Sequence, residues 1–108
     1  MKARYLQKGE TLDYRNNTEE KIGAGDVVTI GKRIGVAGTE MAPGELGTIN
    51  VDGVYELDKK DKTAMTMGTE VYLAADGITA TAGSNVPAGF VAVDSPAEST
   101  TVCVKINA

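Results

Sequence analysis

The alternation between Thr48 and Leu57 constrains the fold more than any other stretch. Ile49, Val51, Gly53, Tyr55 and Leu57 hold the odd positions, against Thr48, Asn50, Asp52, Val54 and Glu56 at the even ones. Successive side chains of a strand point to opposite faces, so this pattern puts one face on a core and the other in water. Val54 is the only misfit. A helix of the same composition would scatter its apolar groups around the circumference. The wider stretch Gly25–Leu57 reads as three or four short strands between glycine-bearing turns, with this one at the centre.

The rest of the chain follows the same grammar. Leu12 and Tyr14 alternate with Thr11, Asp13 and Arg15 in a first strand, which Asn16-Asn17-Thr18 ends as a turn cluster. Val27-Val28-Thr29-Ile30 is nearly continuously apolar, the pattern of a strand buried on both sides. Val71–Ala75 and Ile78–Thr81 flank Asp76-Gly77 as a hairpin with a two-residue turn. Thr63 to Met67 has room for a helical turn at most. Phe90-Val91-Ala92-Val93 forms a short strand, and Thr100 to Ile106 closes the chain with Val102, Val104 and Ile106 on one face. Glycine followed by an acid precedes a strand at Gly25, Gly44 and Gly68; the unequal spacing argues for recurrent turn chemistry and against a repeat protein. These features predict an all-β fold, a small β-barrel or β-clip-like single domain over residues 10–108. Residues 1–9 precede it as a flexible arm.

The arm is chemically distinct. Lys2, Arg4 and Lys8 give it three cations and no acid, with Tyr5 and Leu6 among them, on a chain whose net charge is −4. It reads either as a frayed terminus or as a segment that docks on an acidic surface or extends a partner's sheet.

Reactive chemistry is sparse. Histidine is absent, which removes the commonest general base and metal ligand. The single cysteine, Cys103, excludes an intrachain disulfide and a cysteine-cluster zinc site, and its strand setting makes it a half-buried structural thiol. Gly31-Lys32 fails as a phosphate loop, because five residues separate Gly25 from Gly31 and Arg33 follows the lysine. Gly23-Ala24-Gly25 fails as a dinucleotide motif. Ser84, Ser95 and Ser99 have no patterned lysine partner, and adjacent Glu19 and Glu20 diverge. Asp58–Lys62 reads as a solvated charged loop. No catalytic residue, cofactor or metal is expected. The acidic balance argues against nucleic acid, no apolar run is long enough for a bilayer, and the N-terminus lacks a signal-like apolar region.

The chain resembles a family of small tailed-phage capsid decoration, or cement, proteins, whose members are often mislabelled as RecA/RadA-type recombinases. Gly9-Glu10-Thr11-Leu12-Asp13-Tyr14, Ile22–Val28, Ile34-Gly35-Val36-Ala37, Ala42–Gly47, Val51–Leu57, Gly68 with Val71-Tyr72, and Val102–Asn107 carry the resemblance, in order and over nearly the full length. It implies a virion protein made in the bacterial cytoplasm that sits outside the head, bridges major capsid protein subunits and forms a homotrimer at local three-fold axes. Lys2, Arg4, Tyr5, Leu6 and Lys8 are the expected capsid contacts. The competing reading is a carbohydrate- or host-binding module, for which Tyr5 and Tyr14 are available while Tyr55, Tyr72 and Phe90 are expected to be buried.

Overall fold

The computed structural model describes residues 1–108 and contains nine strands and no helix. They are β1 (Thr11–Arg15), β2 (Val27–Ile30), β3 (Arg33–Ala37), β4 (Leu46–Asn50), β5 (Val54–Asp58), β6 (Glu70–Ala74), β7 (Gly77–Thr79), β8 (Val86–Val91) and β9 (Thr101–Ile106). Two antiparallel sheets pack together in a sandwich-like arrangement, with orders β1-β4-β3-β2 and β5-β9-β8-β6-β7. The fold is all-β, as the alternation predicts. The sheets do not close into a barrel, although the second curls until its edges meet at one parallel bridge, Lys59 to Ile78.

The stretch Thr48–Leu57 is two strands rather than one. The chain leaves the first sheet at Asn50, turns at Asp52-Gly53 and enters the second at Val54. The alternation survives because the turn keeps the parity: Ile49 is buried, Tyr55 and Leu57 pack on the core, and Val54 stands 55% exposed. The strand buried on both faces is β3, not β2. Ile34 and Val36 enter the main core with Val71, Ile78, Val91, Val102, Val104 and Ile106. Ala37 lies on the other side in a smaller core with Ile22, Met41 and Ile49. β2 is an edge, its side chains half-buried except exposed Thr29.

Three other local expectations shift. The hairpin turn is Ala75-Asp76, because Gly77 pairs with Ala74 inside the ladder. Thr63–Met67 forms no helical turn; Met65 bridges Ser95 instead. The short strand ends at Val91 and reaches back to Val86 through Pro87, which lies beside an irregularity where Ala88 has no partner on β6. Proline is tolerated at such a bulge. Next to it Gly89 crosses β9 so closely that a Cβ would sit on the carbonyl oxygen of Lys105. Only glycine fits.

The register exposes what unequal spacing concealed: the chain is an internal repeat. Leu12 pairs with Ile49 as Tyr55 pairs with Val104. Val27 and Val28 pair with Val36 and Gly35 as Glu70 and Val71 pair with Phe90 and Gly89. Val36 and Ala37 pair with Asn50 and Ile49 as Phe90 and Val91 pair with Lys105 and Val104. The bridge Ile22–Met41 repeats as Met65–Ser95. β1, β2, β3 and β4 therefore correspond to β5, β6, β8 and β9, in the same sheet order, and β7 is an insertion that only the second repeat carries. That insertion lengthens the interval between the turn at Gly68 and the last one, at Glu98. It also hid a fourth turn, where Glu98 holds a left-handed φ of 69° in the place that Gly25, Gly44 and Gly68 take in the other three.

Asn107 ties the repeats together. Its Oδ1 accepts from Ile34 N at 3.0 Å, while its Nδ2 donates to the carbonyls of Ile34 at 2.7 Å and Val51 at 2.9 Å. The side chain thus continues β3 where no strand is available to pair.

Candidate interaction surface

Strand alternation sorts the chain into inner and outer faces, and the outer ones hold little that could react. The second sheet turns Val54, Glu56, Cys103, Lys105, Phe90 and Glu70 outward, since their neighbours Tyr55, Val104, Val91 and Val71 pack on the core. Cys103 is half-buried there. Of the aromatics expected to be buried, Tyr55 does pack on the core. Tyr72 and Phe90 are only half-buried and belong to the outer face, opposite in parity to Val71 and Val91.

Electrostatic coupling on this face is modest. Lys105 Nζ lies 2.9 Å from Asp52 Oδ1, and this hydrogen bond, then the charge attraction, holds the Asp52 carboxyl below the ordinary aspartate range. Both partners are largely exposed, so the pair contributes little to stability. No three His, Cys, Asp or Glu side chains gather as a metal site would need. No helix is long and apolar enough to cross a membrane.

Two open grooves run along the free edge of β2. One, of about 500 Å³, is lined by Val27, Thr29, Leu57, Leu73 and Ile78 with Asp58 and Asp76. The other, of about 470 Å³, runs along Thr18–Ile22 and Asp26–Val28 and carries Glu19, Glu20, Asp26 and Lys21. Sequence reading missed both, because they arise from the absence of a β7 in the first repeat.

The five expected contact residues lie apart from these grooves. Residues 1–9 form no secondary structure and residues 1–8 are exposed, Tyr5 by 86% and Leu6 by 87%. Lys8 makes one solvent-exposed ion pair, with Glu10 at 3.1 Å. Nothing in the fold gathers Lys2, Arg4, Tyr5, Leu6 and Lys8 into a pocket; they share only a segment. The total surface of 6940 Å² exceeds the roughly 5,700 Å² of a compact monomer of this mass. Much of the surplus belongs to this arm, which holds its apolar side chains in water.

A two-sheet scaffold with an unpacked basic arm and no enclosed cavity has the makings of an interaction protein. The chain belongs to the phage cement protein family, whose pattern matches residues 6–106. It is thus a structural protein of the phage capsid. No curated protein and no solved structure matches it.

Proposed function

We propose that the protein decorates the outer surface of a tailed-phage head and strengthens contacts between major capsid protein subunits, as a homotrimer at local three-fold axes. Residues 1–9 act as an attachment arm separate from the β domain of residues 10–108. Lys2, Arg4 and Lys8 meet acidic capsid groups, and Tyr5 and Leu6 leave water on docking. The observation that carries the reading is the arm itself, in a chain of the cement family: basic, without secondary structure and almost wholly exposed. Burying a large apolar side chain yields about 1.5–3 kcal/mol, so two of them and three cations give a modest contact per copy. Three linked copies multiply it by avidity. The role is structural and needs no catalysis.

Deletion of residues 1–8 tests the assignment. The shortened protein should keep its melting temperature and lose co-sedimentation with undecorated heads. Unchanged binding would move the capsid contact elsewhere.

A further inference from the structure

In the second repeat, β7 lies along β6, pairing Tyr72 with Thr79 and Leu73 with Ile78, and bridges to Lys59. In the first repeat a tight Gly31-Lys32 turn replaces it, and the equivalent edge of β2 is bare. Asp26 and Ala37 form a hydrogen-bonded pair, with Ala37 N donating to the Asp26 carbonyl and Gly25 N to that of Ala37. Antiparallel alternation then directs Val28 and Ile30 at β3 and leaves the N–H and C=O of Val27 and Thr29 pointing outward. This edge runs between the two grooves, one apolar and one acidic.

A strand added beside β2 would send alternate side chains into the two grooves. The arm has the matching pattern. Extended, it puts Ala3, Tyr5 and Gln7 on one face and Lys2, Arg4, Leu6 and Lys8 on the other. Tyr5 suits the groove of Val27, Leu57, Leu73 and Ile78; the cations suit Glu19, Glu20 and Asp26. The arm's own slot is out of range. It leaves from the start of β1, at the opposite edge of the sheet, whereas the acidic groove follows the end of β1. One strand length and three strand spacings separate them, on the order of 20 Å, against a full reach of roughly 26 Å for eight residues. Too little would remain to pair.

We infer that, away from the head, the arm of one copy docks as an added strand on the β2 edge of a second copy. This rests on the decoration reading. The slot is a holding site that keeps Tyr5 out of water until the capsid competes for the same strand, so self-association and head binding draw on one population of arms.

The test is sedimentation equilibrium of the full chain at low salt, with Thr29→Pro and Glu19→Lys/Glu20→Lys beside it, followed by head binding of each. Proline at Thr29 removes an outward N–H without touching a bond to β3. The wild type should self-associate, and both slot variants should do so at least tenfold more weakly while binding heads as well as the wild type or better. A monomeric wild type, or slot variants that associate like it, would overturn the inference. So would slot variants that lose head binding, which would make the slot a capsid site. Deletion of residues 1–8 reports separately on the decoration reading, because it leaves the slot intact.

Discussion

Asn16 and Lys59 occupy the same place in two successive copies of one fold. Each is the buried residue after the first strand of its repeat, 0% and 8% exposed. Each sends its side-chain nitrogen to the carbonyl four residues on, Asn16 Nδ2 to Glu20 at 2.8 Å and Lys59 Nζ to Thr63 at 2.7 Å. Each also reaches the bridge residue of its repeat, the Met41 carbonyl at 3.1 Å or the Ser95 hydroxyl at 3.1 Å. An amide and an ammonium thus fasten equivalent loops at equivalent places.

Truncating either residue removes at least two side-chain hydrogen bonds and leaves a gap where a buried side chain stood. Asn16→Ala and Lys59→Ala should each cost about 1–3 kcal/mol in urea unfolding, since each bond lost is worth about 1 kcal/mol. A loss below about 0.5 kcal/mol in both would mean that water replaces these donors.

Glu98 is a left-handed residue in a turn whose three sisters use glycine. Glu98→Gly should stabilise the protein by about 1 kcal/mol, since the backbone strain disappears. The melting temperature should rise on the order of 5 °C. The opposite case is Gly89→Ala, whose methyl group would meet the Lys105 carbonyl; this variant should fail to accumulate as folded protein.

The sequence was most legible where a strand has one wet face. Leu12 and Tyr14, the run Val102-Val104-Ile106 and even the misfit Val54 lie where parity predicts. It was least legible where tertiary context decides. Asn16 looks like any turn asparagine, and nothing local says that it is sealed beneath Met41. The repeat stayed hidden because its equivalents share backbone bonds more than side chains: Gly25 and Gly68, Val28 and Val71, Gly35 and Gly89 agree, while Asn16 faces Lys59 and Gly44 faces Glu98. Pro87 and Gly89 disguised the start of β8, and the grooves beside β2 exist through a strand that is missing. The cations Lys2, Arg4 and Lys8 were plain from the sequence, and all three are exposed in the fold.

Asp52 gives a small pH signature. Its carboxyl is held low by Lys105 in the folded chain, so it binds protons less readily folded than unfolded. The stabilisation is therefore full above the ordinary aspartate range and is lost as pH falls through the lower folded value. Asp52→Asn should flatten this acid limb slightly and leave stability near neutral pH little changed, because an exposed pair is screened. An unchanged limb would show that the pair does not persist in solution.

Asn107→Ala should weaken the joint between repeats, costing about 2–3 kcal/mol, by leaving Ile34 without its side-chain partner. Hydrogen exchange checks the location: the Ile34 amide should lose protection, while amides of the β5–β9 ladder keep theirs relative to global unfolding. Uniform loss across both sheets would mean that Asn107 carries no local role.

The central claim is that this chain is a capsid cement, and titration onto undecorated heads tests it most directly. Heads sedimented with increasing amounts of purified protein should bind it saturably, at a fixed ratio to the major capsid protein and in multiples of three per local three-fold axis. Protein that stays folded in the supernatant at every concentration would contradict the account.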